Sequence, residues 1–323
     1  MATQVYAYIV HKGGKADDSA IELITAAKKI DAAAEVTAVV LGAGADLDAV
    51  CAEAANTYPK VWKVANDSFA KLNGEEVRPV LASLIPAGSV VLFANDSFGL
   101  DVAPGLSVKM GGIFLSDIID FEGLAGTKLT AIRQEYSGQV YAKMDADIAG
   151  GAVITVRPGA FAGEEAGGAG GAIEDKAADI PAVGRKFLEV VAAEVGDVDI
   201  TKSEVLLSIG RGIESEDNLE VAFDLAKIMG ADVSCSRPIV DSKWLEHARQ
   251  VGTSGQTVKP KVYMAMGISG AFQHLGGLKG NPFIVAINKN AKAPIFQVAD
   301  VGIVGDILEI MPEMTEKLEE MKG

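Results

Sequence analysis

Apolar positions in the first half of the chain fall into short runs separated by amphipathic stretches. Val5–Val10, Val36–Leu41, Val61–Ala65 and Val90–Ala94 read as buried strands, and Ser19–Ile30, Leu47–Ala55 and Glu76–Leu84 between them carry helical spacing. Alternation at this pitch predicts right-handed crossovers and a parallel sheet covered by helices. From Ile113 the texture changes. Ile113–Phe121, Lys128–Tyr136, Gln139–Asp145 and Ala152–Val156 are strand-like with only short turns between them, so antiparallel pairs are expected there. Asn95, Asp96 and Ser97 read as a simple turn.

Ala162–Asp179 is rich in Gly, Ala and acids and has no periodicity, so it reads as a flexible crossing between domains. Arg185–Glu194 then resumes an apolar pattern that could pack back on the first domain. The expected division is a domain over residues 1–185, ending in a Gly-rich linker at 162–185, and a second over 203–323. In the latter, Val205–Ile209, Asp232–Cys235, Val262–Met266, Phe283–Asn288 and Val301–Val304 read as strands. Asp217–Met229 reads as a helix with apolar Leu219, Val221, Ala222, Leu225 and Ile228, and Lys243–Val251 as another. Pro312–Met321 suggests a last helix with Pro at its first position. The expected fold class is α/β in two domains. The first is a parallel-sheet α/β domain with added antiparallel strands, and the second is doubly wound.

Composition narrows the function classes. The 323 residues are 49% hydrophobic and 23% charged, the balance of a soluble chain with sizeable cores. A formal net charge of −15 argues against nucleic acid or an anionic membrane as partner. Cys51 and Cys235 stand apart with no CxxC, and the 3 histidines have no metal-ligand spacing, so neither a disulfide framework nor a metal site is indicated. The N-terminus lacks a signal pattern, and no apolar run reaches the ~20 residues that span a bilayer. A cytoplasmic protein without membrane insertion is expected. His11, His247, Trp62 and Trp244 read as surface or core residues. Gly42–Gly44 at a strand end lacks the full glycine spacing of a dinucleotide fingerprint.

The densest chemistry lies in Val251–Leu275. After Val251, a loop of hydroxyls, an amide and glycines (Gly252–Gln256, with Thr253 and Ser254) leads into the strand Val262–Met266, and Ser269 is placed to N-cap the helix that follows. The free N–H groups of Gly270, Ala271 and Phe272 would then face an anion at the positive end of the helix dipole. Gln273 and His274 lie one turn in. Any α/β strand–turn–helix carries the same elements, and its cap and glycines can serve packing alone. The neighbouring segments add polar residues. Arg211, Ser236, Arg237, Ser254, Ser269, Asn288 and Asp300 are all expected at the carboxyl ends of parallel strands, where open α/β sheets place ligands.

Taken together, S-R-P (Ser236–Pro238), V-G-T-S-G-Q-T-V (Val251–Val258), G-I-S-G-A-F-Q-H-L (Gly267–Leu275) and A-I-N-K-N-A-K-A-P-I-F-Q-V-A-D-V-G-I-V-G-D (Ala286–Asp306) closely resemble the FAD-binding domain of the electron transfer flavoprotein α subunit. The resemblance is detailed from Val205 onward and weaker before it. It implies FAD, and an electron carrier rather than a stand-alone enzyme. It also implies a separate β subunit as heterodimer partner and a first domain that contacts this partner without holding a cofactor. Donors would be flavin dehydrogenases of the acyl-CoA dehydrogenase type; a bifurcating variant accepts hydride from NADH. Within it, Ser269, Gly270, Ala271 and Ser236 suit the pyrophosphate, and Asp300 and Asn288 suit the ribose, with Val301 beside them. Ser254 faces the flavin N5, His274 donates to the C2 carbonyl, Arg237 lies over the ring and Arg211 joins the same shell. Where the family commonly has Gln, then Thr or Ser, Gly and Lys, this chain has Thr253, Ser254, Gly255 and Gln256. The alternatives are a non-redox nucleotide-binding α/β module and a self-contained pyridine-nucleotide dehydrogenase.

Overall fold

A computed structural model describes residues 3–71, 73–136, 140–163, 170–189 and 198–322. The chain divides into two compact units, Met1–Glu189 and Val190–Gly323.

Among the described residues, the first unit is built on a nine-stranded sheet. β1 (Gln4–Tyr8) is followed by a small hairpin of β2 (His11–Lys12) and β3 (Lys15–Ala16), then α1 (Ser19–Ile30), β4 (Glu35–Gly42), α2 (Gly44–Ala54), β5 (Lys60–Ala65), α3 (Gly74–Leu84) and β6 (Val90–Ala94). Next come α4 (Ser97–Met110), β7 (Ile113–Ala125), β8 (Lys128–Glu135), β9 (Val140–Asp147), β10 (Ala152–Val156) and β11 (Ala172–Asp175). The sheet runs β11-β5-β4-β1-β6-β10-β7-β8-β9. β6 and β10 are buried at every position, as central parallel strands covered on both faces must be. One face packs Leu23, Ile24, Ala27 and Ile30 of α1 over Val5, Ala7 and Val40. The other packs Val77, Val80 and Leu81 of α3 and Val102, Ala103 and Leu106 of α4 over Tyr8, Val39 and Phe93.

Three expectations change here. Asn95–Ser97 is not a simple turn: the Asp96 carboxylate accepts from the Gly99 N–H at 2.6 Å and caps the 14-residue α4. Gly99, Pro104 and Gly105 hid this helix from a propensity reading. β10 is not an antiparallel addition, because it inserts parallel between β6 and β7. Within the nine-stranded sheet, among the described residues, the antiparallel pairs are β7–β8 and β8–β9. Finally, the expected crossing over Ala162–Asp179 contains a strand. β11 adds parallel to β5 at the sheet edge, with Lys60 bridged to Glu174 and Lys63 to Asp175. Residues 164–169 of that stretch, the end of Arg185–Glu194 and the first residue of Gln139–Asp145 lie outside the described residues.

The second unit carries β12 (Val205–Ile209), α5 (Leu219–Met229), β13 (Asp232–Cys235), α6 (Arg237–Asp241), β14 (Val262–Met266), α7 (Phe272–Leu275), β15 (Phe283–Asn288), β16 (Val301–Val304) and α8 (Ile307–Lys322). Its sheet is all parallel, ordered β13-β12-β14-β15-β16. α5 and α8 cover one face through Ala222, Leu225, Ile307 and Met311, and Val251, Val258, Ile268 and Ile295 cover the other. Lys243–Val251 is not a helix. Lys243 sits at φ 62°, and only a short 3-10 turn at His247–Arg249 remains. The last helix begins at Ile307, so Pro312 lies inside it rather than at its first position. Among the described residues, no helix is long and apolar enough to cross a membrane.

Candidate functional site

Hydrogen bonds continue past the carboxyl ends of the five strands and lock the following turns into a shelf of main chain. Ser236 N–H donates to the Ile209 carbonyl, Gly210 N–H to Met266 and Gly267 N–H to Ile287, all at 2.9 Å. Gly212 and Gly267 touch backbone to backbone, since a Cβ on Gly212 would lie 2.7 Å from the Gly267 Cα. Side chains are excluded along this seam, so the polar groups above it come from the turns.

The turn after β14 differs from the expected capped helix. α7 has only four residues, its capping position is Ala271, and no side chain caps it. Ser269 instead offers its carbonyl to the Ile295 N–H at 3.0 Å. Gly270 then turns left-handed (φ 82°), with the Ile295 nitrogen 2.3 Å from where a Cβ would stand. Gly270→Ala is therefore expected to destabilise the unit by roughly 2–4 kcal/mol, from left-handed strain plus a backbone clash. A thermal melt checks this, and an unshifted midpoint would contradict it.

What this turn keeps from the expectation is its donors. Among the described residues, the N–H groups of Gly270, Ala271, Phe272 and Gln273 make no hydrogen bond, and Ala271, Phe272 and Gln273 are exposed. Adjacent unpaired amides fit a phosphate without any side-chain charge.

Two further groups border them. His274 is 6% exposed, with the Tyr263 hydroxyl 2.6 Å from its Nε2. Its Nδ1 is buried without a hydrogen-bond partner. Burial pushes its pKa down to about 4, the Val251 backbone opposing this only in part. The ring is therefore neutral near pH 7, with its Nδ1 enclosed beside the Val251 backbone. The loop Val251–Gln256 folds against the same turn: Thr253 N–H donates to the Gln273 carbonyl at 2.7 Å, and Gly252 is buried against Gln273 and His274. The exposed Ser254 has its Oγ 3.0 Å from Gln250 Nε2.

Ser236 is buried at the end of β13 and leaves its hydroxyl free of the helix it precedes. Arg237 follows, exposed, with Nε 3.3 Å from Asp241. Arg211 is exposed at the end of β12. These residues stand at the carboxyl edge, as expected.

Asn288 is at that edge, its side chain donating to the Ile268 carbonyl at 2.8 Å and accepting from Asn290 N–H at 2.9 Å, with one N–H and one lone pair left over. Asp300 needs correction. Asp300 and Val301 are at the opposite end. Asp300 Oδ2 accepts from Ile284 N–H at 2.7 Å, near the start of β15, and Val301 pairs with Val285. Asp300 directly precedes β16, so it lies at the amino edge of this parallel sheet.

The carboxylate at the correct edge is Asp306, which the sequence reading missed. It follows β16 and caps α8 through Leu308 N–H at 2.9 Å. Lys289, at the end of β15, lies 2.9 Å from it and 2.7 Å from Glu214. The Leu308 N–H and then Lys289 hold the Asp306 carboxyl below its usual range. The signal was legible as an Asp directly before the apolar-periodic run Ile307, Ile310, Met311, which marks a helix start. No group of acidic, His and Cys residues among the described residues is arranged to hold a metal ion. Cys235 ends β13, but burial pushes its thiol up to about 12, so it is not a thiolate.

Comparison with known proteins assigns both units. The family described as "Electron transfer flavoprotein FAD-binding domain" matches residues 199–279, and the family described as "Electron transfer flavoprotein domain" matches residues 5–181. Similar proteins include "Electron transfer flavoprotein subunit alpha" of Syntrophomonas wolfei, 36% identical over 96% of this chain and 98% of that one. Proteins of the same name from Methylophilus methylotrophus (37%, over 92% and 94%) and Mycobacterium leprae (34%, over 98% and 98%) are also similar.

Proposed function

The chain belongs to the electron transfer flavoprotein α-subunit family, and from that premise we propose how its second unit holds FAD and with whom it works. FAD is the cofactor, and bound FAD supplies reversible one- and two-electron redox chemistry. The observation that carries the assignment of residues is the run of unpaired amides from Gly270 to Gln273 beside a buried, neutral His274.

In this reading the four amides and the Ser236 hydroxyl bind the pyrophosphate. Asp306, placed at the carboxyl edge where Asp300 is not, holds the hydroxyls of the AMP ribose, with Asn288 shaping the turn beneath it. His274 donates a hydrogen bond to the isoalloxazine carbonyl edge. It does so as a neutral ring in the tautomer in which the Tyr263 hydroxyl donates to Nε2 and Nδ1 carries the proton. Ser254 presents its hydroxyl to the ring, and Arg237 and Arg211 add positive charge at the same edge.

The first unit contacts a separate β subunit and holds no cofactor. The pair carries electrons in the cytoplasm between flavin dehydrogenases, such as one acting on acyl-CoA, and an acceptor. Co-expression with its β subunit is expected to give a yellow 1:1 complex, whereas the chain alone loses FAD on gel filtration. A fully flavinated, active monomer in analytical ultracentrifugation and turnover would overturn the partnership. Titration of the complex with NADH distinguishes a plain carrier, which stays oxidised, from a bifurcating form, which is reduced.

A further inference from the structure

We propose that Gln250 is a positioning residue that fixes the Ser254 hydroxyl as a hydrogen-bond donor into the cofactor site. The inference rests on the reading that Ser254 meets the cofactor. Gln250 is 3% exposed, while Ser254 is exposed, so the pair joins a rigid interior group to a surface hydroxyl. The Gln250 backbone is fastened on both sides: its N–H donates to the His247 carbonyl at 3.0 Å, and its carbonyl accepts from Gln256 N–H at 2.6 Å. Gly255 presses on that same carbonyl, leaving only 2.4 Å for a Cβ. From this anchored position the Gln250 amide Nε2 donates to Ser254 Oγ at 3.0 Å. His247 Nε2 lies 2.9 Å from the Ser254 carbonyl and holds the same residue from its main-chain side.

A hydroxyl has one proton and two lone pairs. Once Gln250 fills a lone pair, the Ser254 proton is free to point away from the protein, toward the site. With the position facing Gln250 closed to the proton, the position facing the site holds it more often, so a group there receives a hydrogen bond more readily than it would from an unheld serine. That preference favours one redox state of a ring whose facing nitrogen accepts in one state and donates in the other. Ser254 alone, on an exposed loop, would rotate to suit either state.

The test compares FAD midpoint potentials in the reconstituted complex for Gln250→Glu, Gln250→Met, Ser254→Ala and the Gln250→Glu/Ser254→Ala double variant. An ionised carboxylate only accepts, so Gln250→Glu pulls the Ser254 proton inward once it ionises; a buried carboxyl can keep its proton up to about pH 8–9, so potentials are followed up to pH ~10. Ser254→Ala is expected to change the oxidised-to-reduced ratio by about three- to tenfold, the worth of one hydrogen bond. Gln250→Glu is expected to combine that loss with the direct effect of its charge, so the double variant is expected to match Gln250→Glu. Gln250→Met, close in volume and without either amide or charge, is expected to give a smaller shift of the same sign as Ser254→Ala, and melting temperature and FAD content check that each variant folds. Ser254→Ala shifting the potential while both Gln250 variants match the parent would overturn the inference, as would additive shifts in the double variant. If Ser254→Ala itself leaves the potential unmoved, the placement of Ser254 against the cofactor is wrong and the inference falls with it.

Discussion

Ser269→Trp is expected to yield a folded protein that no longer retains FAD. Ser269 is exposed and directly precedes the left-handed Gly270, so an indole there lies over the amides of Gly270 to Gln273. Each hydrogen bond from an amide to a charged phosphate contributes about 1.5–3 kcal/mol. Covering two or three of them weakens binding by about 3–9 kcal/mol, or at least a hundredfold. Little stability is lost, because the bond that fastens this turn uses the Ser269 carbonyl, which the substitution keeps. Ser269→Ala is the companion control and should keep the cofactor. Gel filtration with absorbance at the flavin band decides. Stoichiometric FAD on the Trp variant would remove the amide run from the binding site.

Arg237→Ala is expected to lower the flavin reduction potential, since an added electron gains from a nearby cation. The structure limits the size of this effect. The side chain is 68% exposed and shares its charge with Asp241. Water screening places the effective dielectric toward the upper part of the range, so a charge about 5 Å away contributes about 1 kcal/mol rather than several. That corresponds to about 40–60 mV for one electron. Asp241→Asn should move the potential upward instead, because it frees the same guanidinium from its counter-charge. Opposite signs for the two variants separate electrostatics from damage to the fold. Spectroelectrochemistry that finds both potentials unshifted would place Arg237 away from the ring.

Most strands were legible because their apolar runs answer to burial: Val90–Ala94, Ala152–Val156 and Val262–Met266 form as read. What failed were features decided by non-local pairing or by single hydrogen bonds. Ala152–Val156 is a strand in either arrangement, and only its neighbours β6 and β7 make it parallel. β11 has the composition of a linker and becomes a strand because β5 offers an open edge. Lys243 reads as an ordinary helix former, yet its left-handed backbone stops the helix. At the site, residue types were readable but ends of strands were not. Asp300 and Asp306 both adjoin the same four-residue strand, at opposite ends, and only the sheet shows which one is at the carboxyl edge.

The main-chain shelf at the carboxyl edge has a consequence for how this chain can vary. Phosphate recognition there, as proposed, rests on peptide N–H groups, which every residue but proline possesses. A substitution can therefore obstruct this site but rarely delete its donors, and the affinity they confer should survive wide drift in the side chains of residues 271–273. The vulnerability is displaced onto Gly212, Gly267 and Gly270, where any side chain meets neighbouring backbone. Variation in this region should divide sharply: tolerance at the residues that touch the ligand, and loss of binding together with loss of fold at the glycines beneath them.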